Sequence, residues 1–301
     1  MFRNAKVFRL DGTFAFDQLQ LHDRLGERAF RPCGPLETAT LGWASPLGPN
    51  AESLAHQAGG CLLIAARRQE RLLPASVVAE AVAEKVAEIE QSESRDVGRR
   101  ERTRLREELL TEMLPRAFTR SRLLRAYIDP AANWLVVDAS SDKLAEELVS
   151  LLRETLGSLP AKPLRATTAV DERLSTWVAA DDAPSGFDIE DQCELRDQGD
   201  SRGVVRCRGQ DLTSPEIKAH LDSGKRVVAL ALTWNERLSF VLGEDLALKR
   251  LRFSDELIEE ALDDNAEDDQ ARLDAEFIIM AGELRSLLEA LSGEFAPAEA
   301  G

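Results

Sequence analysis

Ten arginines crowd one segment of this sequence: Arg95, Arg99, Arg100, Arg102, Arg104, Arg106, Arg116, Arg120, Arg122 and Arg125. The same stretch holds no lysine and only five acids (Asp96, Glu101, Glu107, Glu108 and Glu112), a local excess of five positive charges in a chain of net charge −16. A guanidinium stays charged at physiological pH and meets phosphate through a planar fork. Several together give an affinity that reads no bases, because phosphates repeat along every sequence. Such binding weakens steeply with salt as counterions are released. The plainer reading is a solvated helix face. Arg104 and Glu108 stand at i,i+4, a spacing worth a few tenths of a kcal/mol, and Arg102 has Glu101 and Glu107 nearby. A third reading is a basic docking surface for an acidic partner. The Asp255–Asp269 stretch of a second subunit, with nine acids and no bases, is a candidate.

Phe118 lies between Arg116 and Arg120. An aromatic flanked by cations can stack on a base or plug an apolar pocket of a partner. Packing is the commoner role. Other chemistry is thinly represented. The sequence contains no GxxxxGK[ST] phosphate loop, no GxGxxG and no HExxH, and no GxSxG elbow. Ser45 sits in a glycine-rich loop without a histidine placed as its base. Asp263, Asn265, Glu267 and Asp269 alternate like calcium ligands. An EF-hand loop, however, needs glycine at its sixth position and glutamate at its twelfth, where Asp268 and Asp274 stand. Cys33, Cys61, Cys193 and Cys207 form no CxxC pair and read as free thiols. His22, His56 and His220 form no metal pattern. No metal and no cofactor is expected. The acidic balance argues against a basic protein that coats nucleic acid over its whole surface.

These residues must be positioned by a chain of 301 residues, 44% apolar, long enough for two domains or one elaborate one. No run approaches the roughly 20 apolar residues needed to cross a bilayer, and MFRNAKVFRL lacks a signal peptide's apolar stretch. A cytoplasmic protein is expected. Residues 5–10 alternate apolar and charged, predicting a strand with one buried face. A helix is predicted over 16–28, then a long punctuated loop over 31–50 anchored by Trp43, then a buried strand at 60–66. From Pro74 the spacing changes. Val78, Val82, Val86 and Ile89 recur at helical intervals, as do Leu105, Leu109 and Met113, with Gly98 as the break and Pro115 as the end. The reading is a helical hairpin inserted between strand-forming regions, its distal half carrying the arginines.

Two strands follow, at 127–129 and 134–138, joined by Pro130–Asn133. Ser141 caps a helix that carries Leu144, Leu148, Leu151 and Leu152 and stops at Gly157. In the second half, 203–207 reads as a strand, and Ser214-Pro215 starts a helix ending before Gly224. Val227–Trp234, Leu238–Leu242 and Leu246–Phe253 read as an antiparallel meander. A last helix presents Phe277, Met280, Leu284, Leu288 and Leu291 on one stripe, and the tail after Gly293 is expected to fray.

Certain stretches, taken in order, resemble a known family. They are MFRNAKVFRL, Phe30-Arg31-Pro32-Cys33-Gly34, Leu41-Gly42-Trp43, Leu114-Pro115-Arg116-Ala117-Phe118, and Leu151-Leu152-Arg153 with Gly157-Ser158-Leu159-Pro160. Further on come Gln210-Asp211-Leu212-Thr213-Ser214, Leu230-Ala231-Leu232 with Trp234, Leu248-Lys249-Arg250-Leu251, and Asp274-Ala275 with Phe277. The chain resembles the RdgC family of recombination-associated proteins of proteobacteria nearly end to end.

The resemblance implies an α+β fold of mixed and antiparallel sheets flanked by helices, with the inserted helical hairpin as a tip. It implies a homodimer closing into a ring around double- or single-stranded DNA, nucleoid-associated, restraining RecA and supporting replication forks. The family's three-part subunit would map as a centre of residues 1–74 and 124–165, a tip of 75–123 and a base of 166–301. A phenylalanine matching Phe118 lies at the family's ring-closing tip contact. A basic residue followed by glutamine, at the positions of Gly209 and Gln210, is tied there to ring integrity or DNA contact. Here position 209 is glycine and Arg208 precedes it. The expected DNA-contacting set is therefore Arg95, Arg99, Arg100, Arg102, Arg104, Arg106, Arg116, Arg120, Arg122, Arg208 and Gln210, with Phe118 at the gate and no catalytic residue. Two rivals stand beside it: a metal-dependent DNA-processing enzyme, and an acidic scaffold whose basic hairpin binds only protein.

Overall fold

The computed structural model describes residues 1–199, 203–263 and 269–295. They form an α+β protein whose antiparallel strands are flanked by helices. The chain packs as two compact units, the first of residues 1–25, 45–65 and 124–301, the second of residues 26–44 and 66–123.

In the first unit, β1 (Asn4–Leu10) is an interior strand. It pairs antiparallel with β6 (Trp134–Val137), from Lys6↔Val137 to Arg9↔Trp134, and with β7 (Ala161–Pro163). Ala5↔Leu248 joins it to β12 (Leu248–Phe253). The order continues through β11 (Leu238–Gly243), β10 (Arg226–Trp234) and β8 (Phe187–Arg196) to β9 (Val204–Arg208). The meander β10–β11–β12 is the one read from the sequence. The single buried face expected of β1 is not found. Ala5 and Val7 join the main core, and Lys6 and Phe8 are buried too. Alternation marks a strand with one wet face, and β1 has none. Lys6 survives burial because its ammonium meets Asp142 at 2.6 Å and also Asp245.

The helices α1 (Gln18–Gly26), α4 (Asp142–Leu156) and α6 (Pro215–Asp222) fall where the sequence placed them. The Ser141 hydroxyl accepts the Leu144 amide at 3.4 Å, and Gly157 takes φ 80° at the other end of α4. The last helix, α8 (Asp269–Phe295), buries all five residues of its expected stripe. Burying each such large side chain contributes about 1.5–3 kcal/mol. The Arg285 Nε of this helix donates to the buried Asp129 carboxylate at 2.6 Å. The calcium-like alternation runs through residues 264–268, outside the described residues, as does the tail after 295.

Four elements of this unit have no counterpart in the sequence reading: β3 (Ala55–Ala58), β7, α5 (Val170–Ala180) and strand β8; α7 (Asp255–Asp263) falls on the acidic stretch. Val170, Leu174, Trp177 and Val178 give α5 an i, i+4, i+7, i+8 stripe that was available to be read. Strand β8 sets Phe187, Ile189, Cys193 and Leu195 at alternate positions, a stripe interrupted by Asp191, where its pairing with β10 shifts register between Leu230 and Leu232.

In the second unit, β2 (Ala39–Ala44) replaces part of the expected loop. Trp43 anchors it, 1% exposed. The Trp43 carbonyl accepts the Phe30 amide at 2.7 Å. Gly42 is required there, since a Cβ would lie 2.6 Å from the Phe30 Cα. Strand β4 (Cys61–Leu72), which pairs with β3 (Ala55–Ala58) in the first unit, enters the second as Ala66–Leu72. The hairpin is α2 (Ala75–Glu93) and α3 (Arg99–Met113), ended by a 3-10 turn at Leu114–Arg116. It is thinly buried: Val78 and Val86 on α2, no residue on α3. Strand β5 (Phe118–Asp129) begins earlier than expected, so Phe118–Leu123 is strand and not part of the helices. Its far end forms a hairpin with β6.

Candidate nucleic-acid interface

The arginines of the second unit divide by partner. Arg95, in the link between the hairpin helices, donates to Glu93 at 2.6 Å and forks onto Glu101 at 2.7 Å through both terminal nitrogens. Its hydrogen bonds to Glu101 and then Glu93 hold its pKa above the ordinary arginine value, and Arg95 in turn lowers that of Glu101. Arg102 turns to the Val97 carbonyl at 3.2 Å and to Glu90 at 3.4 Å, not to Glu101 or Glu107. Arg104 takes Glu108 at 2.8 Å, the expected i,i+4 pair. Arg120, on β5, is held by Glu70. These four are braces of their own unit.

Arg99, Arg100, Arg106, Arg116 and Arg122 are exposed. None of them has a carboxylate at ion-pairing distance among the described residues. At 100° per residue, Arg99 and Arg106 share one flank of α3 while Arg100 points away from it. Arg116 sits on the 3-10 turn and Arg122 on β5. Phe118 opens β5 and is 82% exposed, the most exposed large apolar side chain described.

Arg208 and Gln210 lie in the first unit, with Arg208 on a second cationic feature. A groove of about 390 Å³ opens across β12, β11, β10, β8 and β9. Arg206, Arg208, Lys249 and Arg250 bring four cations to it, against the single carboxylate of Glu194. That carboxylate is already engaged by Arg206 at 2.8 Å and Arg196 at 3.1 Å, and the Arg206 hydrogen bond leads in lowering its pKa. Arg208 and Lys249 have no such partner among the described residues. Arg250 adopts φ 57° within a shift of register between β11 and β12 and donates to Gln192 at 3.2 Å across the groove. Left-handed backbone at a long side chain costs about 1–2 kcal/mol, so the bulge aims this guanidinium at an energetic cost.

Lys249 and Arg250 were missed as site residues in the sequence. The signal was the adjacent pair at a strand, which gains meaning only when β9 lies nearby. Gly209 has φ +60°. A basic residue there would carry strain, which gives a backbone reason for glycine. Gln210 is exposed, its backbone N–H donating to the Asp191 carbonyl at 3.3 Å.

Among the described residues, no group of three or more His, Cys, Asp or Glu side chains is placed to hold a metal ion. No described helix is long and apolar enough to cross a membrane. The four cysteines are free, and burial pushes the Cys193 thiol up to about 12, with Cys207 adding to the shift.

The chain matches one family model over residues 1–297, described as "Putative exonuclease, RdgC". The chain is 44% identical over 297 residues to the recombination-associated protein RdgC of Tolumonas auensis, covering 97% of this chain and 98% of that protein. It is 46% identical over 301 residues to the protein of that name from Pseudomonas aeruginosa, covering 98% of each, and 43% identical over 290 residues to that of Aeromonas hydrophila. This chain belongs to the RdgC family.

Proposed function

We propose that this protein binds DNA without sequence preference, closes around it as a homodimeric ring, and so limits access of RecA during recombination and at replication forks. The observation that carries the reading is a concentration of cations without a carboxylate partner among the described residues, five between Arg99 and Arg122 and two in the groove, on a chain of net charge −16. Arg95, Arg102, Arg104 and Arg120 have carboxylate partners; the five and the two do not among the described residues. Phosphates would supply them, at positions that carry no base information. Acids elsewhere would repel DNA from the remaining surface. Phe118, exposed between arginines, is the contact at which two subunits meet, since an aromatic in a partner's pocket is the commonest kind of interface anchor. The tip is residues 75–123, the centre 1–74 with 124–165, and the base 166–301. The protein works in the cytoplasm at the nucleoid.

No catalytic step is part of this proposal. The family description names an exonuclease, whereas the curated relatives are named only as recombination-associated. The test has two arms. Sedimentation should give a homodimer, and unrelated duplexes should be retarded alike at low salt and left intact with magnesium. A monomer that retards no duplex at low salt would overturn the reading, as would shortened labelled strands.

A further inference from the structure

The exposure of Phe118 raises the question of what holds it in place. The 3-10 turn before it ends at Arg116, and Ala117 is already extended. The last carbonyls of a helix have no partner within it and need outside donors. Arg71, near the end of β4, supplies them. Its Nη1 donates to the Pro115 carbonyl at 3.3 Å and the Ala117 carbonyl at 3.2 Å, and its Nη2 to the Gly34 carbonyl at 3.1 Å. A cation at a helix C-terminus also meets the negative end of the helix dipole. The Arg71 amide donates to the Thr38 carbonyl at 2.8 Å, fixing the base of the side chain. Its neighbours grip the far side of Phe118. Gln69 donates to the Ser121 hydroxyl at 3.1 Å, and Glu70 takes Arg120. The chain is thus fastened at 115 and 117 before the ring and at 120 and 121 after it. The aromatic itself is exposed, so its own burial does not account for this fastening.

We propose that Arg71 is a positioning residue for self-association. It fixes the backbone at 115–117 so that Phe118 is presented, already ordered, to a second copy of this chain. The inference rests on the reading above that Phe118 is the subunit contact. An anchor ordered in advance loses little freedom on binding, whereas one on a loose helix end must be ordered by the partner.

The test uses the full chain with Arg71→Met, Phe118→Ala and the double variant. Each is read by its dwell time on closed circular DNA and by hydrogen exchange of the amides at 117–121. Arg71→Met should shorten the dwell time about tenfold and speed exchange at 117–121, with exchange in β10 unchanged. In the Phe118→Ala background it should shorten the dwell time no further, an outcome that a general loss of stability would not give. If Phe118→Ala shortens the dwell time and Arg71→Met does not, the positioning role falls alone. Equal shortening by Arg71→Met in both backgrounds also overturns it. If Phe118→Ala has no effect, the self-association reading falls and takes this proposal with it. Should Arg71→Met fail to fold, Arg71→Gln, which keeps an amide donor, is read by the same criteria.

Discussion

The division of arginines into braced and unbraced makes a quantitative prediction about salt. Each phosphate contact made by a cation contributes about −0.9 to the slope of log affinity against log salt on duplex DNA. If Arg99, Arg100, Arg106, Arg116 and Arg122 all meet phosphates, they contribute about −4.5 per subunit. Raising salt from about 50 to about 200 mM would then weaken their share of binding roughly 500-fold. Replacing them one at a time by glutamine, a good helix former, should flatten the slope by about 0.9 per subunit, and so by about 1.8 for the homodimer, at each step. The control is the braced pair. Arg104 and Glu108 lie 2.8 Å apart, so Arg104→Gln with Glu108→Gln removes no net charge and no phosphate contact. Its slope should match that of the unaltered protein. Fluorescence anisotropy with a labelled duplex across a salt series measures all of this. The reasoning is refuted if the unpaired set leaves the slope unchanged, or if the neutral pair flattens it as much as one unpaired arginine.

Gly209→Lys puts a long side chain on a backbone of φ +60°, and should lower stability by about 1 kcal/mol in a denaturant melt. Arg285→Met leaves the Asp129 carboxylate buried with only the amides of Ala131 and Ala132 as donors, and should cost about 3 kcal/mol in the same measurement. The Lys6 latch should appear as pH dependence. Burial pushes Asp245 up, but the hydrogen bond and charge of Lys6 outweigh it, and its pKa ends below the usual value. Burial likewise pushes Lys6 down, yet Asp142 and Asp245 together leave it raised. The stability from Asp245 is therefore present above a pH of about 4 and lost as pH falls through the carboxylate range, while that from Lys6 is present below about 10.5 and lost above it. Melts of Lys6→Met against the unaltered protein should converge at both extremes and differ most between them.

The parts of the fold that were legible in the sequence are those set by local pattern. The α8 stripe, the β10–β12 meander and the Ser141 cap each depend on residues a few places apart. Patterns failed where tertiary structure overrode or interrupted them. Strand β1 alternates in sequence but is buried on both faces, because Lys6 brings its own two carboxylates. Strand β8 keeps its alternation, but Asp191 interrupts the apolar stripe where the pairing with β10 shifts register. For the site, the richness in arginine was visible, but its meaning was not. Arg120 is braced by Glu70, 50 positions away, and Arg102 by Glu90, 12 positions away. The groove draws on β8, β9, β10, β11 and β12, and the Arg71 clamp spans 37 to 46 positions. Such contacts require the fold before they can be seen.

Enclosure of DNA is the central claim, and cutting the DNA tests it most directly. Protein is loaded onto covalently closed circles, washed in salt that strips it from linear DNA, and the circles are then cut once at a site remote from most of the bound protein. Enclosure expects the protein to survive the wash and to leave after the cut by sliding from the new ends. Loss during the wash, or retention after cutting equal to that on uncut circles, would contradict it.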